Sequence, residues 1–337
     1  MTVDVGKESG PGGRAVAGPG DLVLDASGIT LRFGGVTSLD GVELGMRRGE
    51  ILAVIGPNGA GKTSLFNSLT GAYVPQEGRI TYRPGGGGEH ELRGRKPFRV
   101  NRLGLARTFQ NIRLFSALTA LENVKIAAET RLKAGPASVM LGLPHARRAE
   151  RRSDERAHEV LDFVGLAGKL NELAGSLSYG DQRRLEIARA LATDPQVLLL
   201  DEPAAGTNPT EKLELEELIR HINRELGVSV LLIEHDMRLV MSVADRVMVL
   251  NFGRKIAEGT PTQVQQDPAV VAAYLGAPAE SDEPAGAGAP GPDGAGPETS
   301  GPHAPRSPAS GGVPSARDGE DADEQAARDE QSGEEPT

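Results

Sequence analysis

Cysteine and tryptophan are absent from this 337-residue sequence, and aromatic residues make up only 3% of it. Without cysteine, disulfide bonds and thiolate metal sites are excluded, which fits a cytoplasmic protein. Long apolar runs are also missing. The longest, residues 51–55 and 197–200, are far shorter than the roughly 18 residues of a transmembrane helix, and the N-terminus has no apolar signal region. We therefore expect a chain that neither spans a membrane nor is secreted by a signal of its own.

Apolar residues account for 38% of the chain, which is low for a globular protein. The deficit is concentrated at the two ends. Residues 1–20 are rich in glycine, and residues 276–337 consist mainly of proline, glycine, alanine, serine and acid, with no aromatic residue. Such segments cannot bury enough apolar surface to offset the entropy cost of ordering. We predict a disordered N-terminal tail (1–20), a folded region (21–275) and a disordered acidic tail (276–337).

Most of the negative charge belongs to the C-terminal tail. Its 14 Asp and Glu against 3 Arg give −11, whereas the whole chain carries −10, so residues 1–275 come to about +1. A nucleic-acid-binding protein usually shows a strongly basic surface or stripe. The charge therefore indicates no nucleic-acid partner.

Short apolar runs alternate with helical patterns along the folded region. Residues 51–55 and 197–200 are continuous apolar runs, and residues 228–233 are apolar apart from Ser229, a pattern typical of strands that are buried on both faces. Residues 213–226 place leucine and isoleucine at the spacing of an amphipathic helix. Alternating strands and helices predict an α/β fold whose core sheet is largely parallel.

The remaining segments complete the predicted organisation. Residues 21–83 have the pattern of strands and turns. We interpret the glycine-rich stretch 84–88 and the charged stretch 89–99 as a hairpin tip or an inserted loop. Residues 118–180 are rich in helix formers and predict a helical subdomain. Its predicted breaks lie near residues 135–136 and 142–144, and further predicted elements are helices at 62–70 and 181–192 and a closing hairpin over 247–258.

Residues 56–63 match the pattern G-x-x-x-x-G-K-[ST] between an apolar strand and a helical stretch. Glycines let consecutive backbone N–H groups curl around phosphate oxygens, and the following helix points its positive end at the same anion. Lys62 would reach the β- and γ-phosphates, and the hydroxyl of Thr63 would ligate Mg²⁺. Alone, the pattern does not separate ATP from GTP. The predicted nucleotide-binding residues here are Gly56, Pro57, Asn58, Gly59, Ala60, Gly61, Lys62, Thr63 and Ser64.

Two acids, Asp201 and Glu202, follow the apolar run 197–200. Open α/β sheets bind ligands at the carboxyl ends of their strands. Asp201 would hold Mg²⁺ directly or through water, and Glu202 would orient and polarise the attacking water. Such a pair is often only a solvated turn, but the phosphate loop upstream favours the functional interpretation.

Residues 177–184 read Leu-Ser-Tyr-Gly-Asp-Gln-Arg-Arg and resemble the signature motif of ABC ATPases, usually written LSGGQ. The motif lies just before the acid pair, as that family requires. The resemblance implies that Ser178 and the backbone of Gly180, at the start of a helix, meet the γ-phosphate of an ATP bound on another subunit. ATP would then join two subunits of a dimer.

Other elements of that family follow in order. Gln110 looks like the Q-loop glutamine, which contacts Mg²⁺ and senses the transmembrane partner, and His235 looks like the switch histidine that reaches the γ-phosphate. Phe33 resembles the aromatic residue that stacks on adenine, and residues 205–209 resemble the D-loop at the dimer contact. The resemblance assigns catalytic roles to Glu202, His235, Gln110 and Lys62, and metal ligation to Thr63, Gln110 and Asp201.

The resemblance covers about residues 21–275, and within the superfamily it points to the ATPases of branched-chain amino-acid uptake systems. Tyr179, Asp181 and Thr207 depart from the residues commoner at their positions, while every catalytic position is intact. The stretches that resemble the uptake group are 32–36, 104–110, 203–206 and 253–261, with a C-terminal extension at 267–276.

The resemblance implies an ABC ATPase cassette with a P-loop core sheet, an antiparallel β subdomain and a helical signature subdomain. It implies hydrolysis of ATP with Mg²⁺ and import of branched-chain amino acids through permease subunits. The chain would sit peripherally on the cytoplasmic side of the membrane. Its partner across the ATP would be a paralogous ATPase subunit or a second copy, and a substrate-binding protein would act indirectly.

Three other functions are alternatives to the import of branched-chain amino acids. A cassette for another cargo, such as urea, another amide or lipopolysaccharide, is the strongest, because the cargo site lies on other subunits. An ABC protein of DNA maintenance or the ribosome is disfavoured by the single cassette and the lack of heptads. A GTPase is disfavoured because no Asn-Lys-x-Asp motif is present.

Overall fold

The computed structural model describes residues 22–110, 112–130 and 144–275. Both predicted tails lie outside these residues, as does the predicted break near 135–136. The strands of the described residues are β1 (Leu22–Phe33), β2 (Val36–Arg47), β3 (Ile51–Ile55), β4 (Glu77–Tyr82), β5 (His90–Glu91), β6 (Leu105–Arg107), β7 (Val197–Asp201), β8 (Ser229–Ile233), β9 (Arg246–Asn251) and β10 (Arg254–Gly259).

The helices of the described residues cover or connect these strands. Two short 3₁₀ turns, Ala167–Lys169 and Ala174–Ser176, join two of them. The helices are α1 (Lys62–Leu69), α2 (Pro97–Leu103), α3 (Ala120–Glu129), α4 (Pro144–Phe163), α5 (Tyr179–Leu191), α6 (Pro209–Glu225), α7 (Met237–Val243), α8 (Pro261–Gln265) and α9 (Pro268–Leu275). None of the helices in the described residues is long and apolar enough to cross a membrane.

Consecutive apolar residues form the centre of a six-stranded sheet with the order β10-β9-β3-β8-β7-β6. Every residue of β3, β7 and β8 is buried, which explains their unbroken apolar sequences. The strands from β9 to β6 pair in parallel, and β10 returns antiparallel to β9 as the predicted closing hairpin. Parallel pairing brings the carboxyl ends of β3, β7 and β8 to one edge of the sheet. The predicted site residues that follow these strands in the sequence therefore lie at that edge.

A second sheet, with the order β2-β1-β4-β5, is antiparallel throughout. One buried apolar cluster joins it to the core sheet and to α1, with Leu24 and Leu44 from the antiparallel sheet, Leu52 and Leu199 from the core sheet, and Phe66 from α1. The antiparallel β subdomain is therefore confirmed, and its packing fixes the elements on either side of the phosphate loop.

Helices α3, α4 and α5 pack together beside the core sheet. A capping box starts α3, where the Thr119 hydroxyl accepts from the Glu122 N–H at 3.2 Å and the Glu122 carboxylate accepts from the Thr119 N–H at 2.8 Å. Val124, Leu161 and Leu185 share one buried cluster. Helices α3 and α4 lie in the stretch that was predicted to be helical, and α5 corresponds to the helix predicted at 181–192. The domain limits of 118–180 stay a prediction.

Two elements differ from the sequence-based expectation. Helix α6 begins at Pro209 rather than near residue 213, because Asn208 and Glu211 form a capping box and proline suits the first helical position. In the charged stretch 89–99, β5 pairs with β4 and confirms the hairpin. The loop interpretation is wrong from residue 97 onward, where α2 starts with a proline and ends at the left-handed Gly104.

Candidate functional site

The phosphate loop joins β3 to α1 at the carboxyl edge of the core sheet. Gly56, Gly59 and Gly61 have φ of 150°, 80° and 102°, a region that favours glycine. The ammonium of Lys62 donates to the carbonyl oxygens of Gly56 at 2.7 Å and of Pro57 at 3.0 Å. The lysine is therefore folded back across the loop at the N-terminus of α1, the position that binds phosphate.

The turn between β9 and β10 holds the phosphate loop from outside. The Gly253 N–H donates to the Ala60 carbonyl at 3.0 Å, and the Asp40 N–H donates to the Gly253 carbonyl at 2.9 Å. A Cβ on Gly56 would collide with the Leu250 carbonyl oxygen, and one on Gly61 would lie 2.7 Å from the carbonyl oxygen of Ser38. The loop is thus closed in on two sides by backbone.

Lys62 lies under the influence of both predicted acids. Burial lowers the pKa of Lys62, and the carboxylates of Glu202 and Asp201 oppose that shift. These two are the only acids that act on its pKa among the groups the structure describes. The structure thus brings the lysine of the predicted phosphate loop and the predicted acid pair into one site.

Asp201 ends β7 and is buried. Its carboxylate accepts from the guanidinium of Arg107 at 2.7 Å, and the same guanidinium donates to the side chain of Asn67 on α1 at 2.6 Å. The Arg107 guanidinium also lies 5.5 Å from the centroid of the Phe109 ring. Arg107 therefore connects the predicted Mg²⁺ ligand to α1 and to the residues that precede Gln110.

Glu202 has a φ of 45°, which is uncommon outside glycine. Its N–H donates to the carbonyl of Ile233 at 2.9 Å, and its carboxylate accepts from the Gln110 amide at 2.7 Å. A left-handed non-glycine residue costs about 1–3 kcal/mol and persists where its surroundings hold it, commonly at functional sites. The two predicted catalytic side chains are therefore in contact.

His235 follows β8, and its side chain is 62% exposed. The preceding residue, Glu234, is fully buried and accepts backbone N–H donors from Ala204 at 2.8 Å, His235 at 3.1 Å and Asp236 at 3.3 Å. Glu234 thereby joins the His235 loop to the loop after Glu202. Sequence reasoning assigned no role to Glu234, although an acid directly after a fully buried apolar strand is a signal of one.

Ser178 caps α5, the helix of the signature motif. Its hydroxyl accepts from the Asp181 N–H at 3.2 Å and donates to the Asp181 carboxylate at 2.6 Å. Gly180 lies against Glu211 of α6, whose carboxylate would be 2.9 Å from an added Cβ. Among the described residues, no hydrogen bond or ion pair joins Ser178 or Gly180 to the phosphate loop of the same chain. The two halves of the predicted ATP contact are therefore separate within one chain.

Phe33 ends β1 with its side chain 47% exposed, and its ring meets Tyr73 edge-on at a centroid distance of 5.1 Å. The Phe33 ring, which is exposed and contacts the Tyr73 ring, is suited to stacking on a nucleotide base. Ser64 lies one residue beyond Thr63 on α1, where its hydroxyl accepts from the Ser38 hydroxyl at 2.7 Å.

Comparison with known proteins places this geometry in a family. A family model described as ABC transporter matches residues 39–205. The high-affinity branched-chain amino acid transport ATP-binding protein LivG of Salmonella typhimurium is 46% identical over 254 residues, which are 75% of this chain and 98% of that protein. The chain belongs to the ABC transporter family. Its cassette is of the kind whose ATPases drive transport, as the sequence predicts.

Other comparisons refine the position of the cassette in the family. A model described as branched-chain amino acid ATP-binding cassette transporter matches residues 254–280. BraF of Pseudomonas aeruginosa, named for branched-chain amino acid transport, is 46% identical over 75% of this chain and 98% of its own length. The solved cassette MJ1267 superimposes with a TM-score of 0.65 at 30% identity, covering 76% of this chain and 99% of that one.

Two buried residues of the ABC cassette, Arg183 and Glu186 on α5, were missed by sequence reasoning. The Arg183 guanidinium donates to the carbonyl oxygens of Phe109 at 2.9 Å and Gln110 at 3.1 Å, and to the Glu186 carboxylate at 2.8 Å. The Glu186 carboxylate accepts from the Phe109 N–H at 3.1 Å. This ion pair holds the backbone beside Gln110, and its burial raises the pKa of Glu186.

Proposed function

We propose that this chain hydrolyses ATP to energise the import of branched-chain amino acids through permease subunits of an ABC transporter. The observation that carries the proposal is Lys62, buried on the glycine loop and influenced by the carboxylates of Glu202 and Asp201. The names of LivG and BraF support the cargo, since the match covers 98% of each of those proteins and 75% of this chain.

The donors fit a magnesium nucleotide. Gly56 and Gly61 line a loop too narrow for a Cβ, which lets backbone N–H groups approach phosphate oxygens. The Thr63 hydroxyl, the Asp201 carboxylate and the Gln110 amide oxygen are hard oxygen ligands, which Mg²⁺ prefers alongside phosphate. The described residues contain no cluster of three or more His, Cys, Asp or Glu that could bind a metal alone. When bound, Mg²⁺ supplies positive charge that neutralises charge on the phosphate oxygens.

Glu202 acts on the water that attacks the γ-phosphate, giving ADP and phosphate. Its carboxylate accepts a hydrogen bond from that water and orients it in line, while Gln110 holds the carboxylate by donating to its other oxygen. Lys62 stabilises charge on the β- and γ-phosphates, and the exposed imidazole of His235 contacts the γ-phosphate.

The second half of each ATP site comes from another cassette. Ser178 and the backbone of Gly180 start α5, and the positive end of that helix suits a γ-phosphate. Because they do not contact the phosphate loop of their own chain, we assign them to the ATP of a partner cassette, a paralogue or a second copy. The assembly binds permeases at the cytoplasmic side of the membrane, and a substrate-binding protein delivers the cargo to the permeases.

Substitution of Glu202 by Gln tests the catalytic assignment. The amide keeps the size of the side chain and an oxygen that can accept from Gln110, but it loses the charge that polarises water. We expect phosphate release to fall about 100-fold or more, with ATP still bound, as measured by phosphate release and by equilibrium nucleotide binding. Glu217→Gln, a charge-matched change on the exposed side of α6, should behave as wild type. Near-normal turnover by Glu202→Gln would show that Glu202 does not activate the attacking water.

Purification of the tagged full-length chain from detergent-solubilised native membranes tests the transport assignment. We expect two multi-span permeases, a second cassette and an amino-acid-binding protein to co-purify. Recovery of permeases with a binding protein for urea, another amide or lipopolysaccharide would change the cargo. Recovery of ribosomal or DNA-repair proteins alone would overturn transport and leave the ATPase chemistry.

A further inference from the structure

The first turn of α5 contacts the loop that follows Glu202. The Tyr179 hydroxyl donates to the Ala205 carbonyl oxygen at 3.0 Å. The Tyr179 ring packs on Gly206, where an added Cβ would lie 3.3 Å from it and where φ is 78°. A glycine at position 179, as in the usual form of the signature motif, could make neither contact. Tyr179 therefore gives this cassette a link between signature helix and D-loop that depends on its own side chain.

The Ala205 peptide is bonded to Glu202 in turn. The Ala205 N–H donates to the Glu202 carbonyl at 3.1 Å, which closes a tight turn, and the Glu202 N–H donates to Ile233 at 2.9 Å. Glu202 has a φ of 45°. Its conformation is rare for a residue with a Cβ and must be held by its surroundings. Tyr179 thus donates a hydrogen bond to the last residue of the turn that keeps Glu202 in this conformation.

A second path reaches Glu202 from the same helix. Arg183, one turn after Tyr179, donates to the Gln110 carbonyl at 3.1 Å, and the Gln110 amide donates to the Glu202 carboxylate at 2.7 Å. The Arg183 guanidinium also lies 3.4 Å from the Tyr179 hydroxyl. Two neighbouring side chains of α5 therefore hold Glu202, one through its backbone turn and one through its carboxylate.

We propose that Tyr179 is a positioning residue that, together with Arg183, sets the direction of the Glu202 carboxylate of its own chain. The inference rests on the proposed role of Glu202 in hydrolysis. It gives α5 two functions, since the same helix offers Ser178 and Gly180 to the ATP of the partner cassette.

Tyr179→Phe in the full-length chain tests the proposal. It removes the hydroxyl, and with it both the bond to Ala205 and the longer contact with Arg183, and it keeps the ring on Gly206. We expect kcat for ATP to fall about two- to tenfold, the effect of losing these hydroxyl contacts, with KM for ATP and the melting temperature unchanged. Glu214→Gln is the matched control, because it removes the negative charge that pairs with Arg184, in another contact between α5 and a neighbouring element. It should leave kcat unchanged.

The outcomes separate the proposal from the function on which it rests. A kcat of Tyr179→Phe equal to that of wild type, beside an inactive Glu202→Gln, overturns the positioning role alone. A higher KM or a lower melting temperature that accounts for the lost rate shows a merely structural tyrosine and also overturns it. If Glu202→Gln turns over normally, the proposed role of Glu202 and the positioning role fall together, while ATP hydrolysis by the chain stands.

Discussion

The phosphate loop and the loops around Glu202 are held by different means. The phosphate loop is fixed mainly by backbone, since glycines at Gly56 and Gly61 let neighbouring strands close in on it. The loops that carry Gln110, Glu202 and His235 are fixed by buried side chains of other elements, such as Arg183 and Glu234. The glycines of the phosphate loop are close together in the sequence, whereas the side chains that hold the loops of Gln110, Glu202 and His235 come from distant positions. We therefore expect added side-chain volume to disrupt the phosphate loop, and removal of a buried charge to disrupt the other loops.

Gly56→Ala should have the largest effect. The added Cβ meets the Leu250 carbonyl oxygen, and φ of 150° is unsuited to alanine. We expect a loss of about 4 kcal/mol in the free energy of unfolding, from backbone strain and overpacking together, and loss of ATP binding. Urea unfolding and equilibrium nucleotide binding measure the two effects.

Gly59→Ala is the control inside the same loop. Its φ of 80° is also left-handed, but nothing lies within 4 Å of the added Cβ. We expect a cost of about 1–2 kcal/mol from strain alone. Equal costs for the two variants would show that backbone crowding at Gly56 does not hold the loop.

Arg183→Met tests the buried side chains that hold the loop of Gln110. It leaves the Glu186 carboxylate buried beside Phe109 without its cation and releases the backbone next to Gln110. Breaking a buried ion pair costs about 3 kcal/mol or somewhat more. We expect that loss in urea unfolding, together with a lower kcat. Since Met fills much of the same space, the loss reports on charge rather than on a cavity.

The double variant Arg183→Met/Glu186→Met sharpens the result. With both charges removed, no unpaired carboxylate remains, and stability should recover by about 1–2 kcal/mol relative to the single variant. Hydrolysis should stay low, because Gln110 has lost its support. If stability falls further in the double variant, the charge argument is wrong.

Dependence of stability on pH is the smallest expected difference. Burial raises the pKa of Glu234 above the ordinary 4.5. From about pH 4.5 up to the raised pKa, the folded chain keeps a proton that the unfolded chain has released. The free energy of unfolding therefore falls as pH rises through that window, by at most about 1.4 kcal/mol per pH unit.

Urea unfolding of wild type and Glu234→Gln from pH 4.5 to 8 checks this sign. The stability of wild type minus that of the variant should decrease with rising pH and then level off. For Glu217→Gln the difference should stay constant. A difference for Glu234→Gln that grows with pH would contradict the assignment of a raised pKa.

The parts of the fold that the sequence predicted were encoded by neighbouring residues. Five adjacent apolar residues predicted β3, and eight residues predicted the phosphate loop between it and α1. Capping residues that the helical spacing did not reveal moved the start of α6 to Pro209. Helix α2 was not predicted because its seven residues bury little besides Val100 and therefore show no apolar pattern of helical spacing.

The scaffold around Glu202 could not be predicted in the same way. Arg183 reaches backbone oxygens of Phe109 and Gln110, more than 70 positions earlier in the chain. Backbone oxygens carry no residue identity, so no pairing of residue types in the sequence indicates the contact. Gln110, Ser178, Gly180, His235 and Phe33 were identified from the family resemblance, whereas the phosphate loop and the acid pair were first identified from the local sequence pattern. The chemical roles of all these residues remain predictions for the experiments above.

The contact of the β9–β10 turn with the phosphate loop also sets an order of events during synthesis. The ribosome makes every motif residue from Gly56 to His235 before it makes Leu250 and Gly253, which close the loop from outside. A nascent chain that ends before β9 therefore carries the full motif set without its closed cradle. We therefore expect the phosphate loop to reach its closed form only after the turn between β9 and β10 has been made.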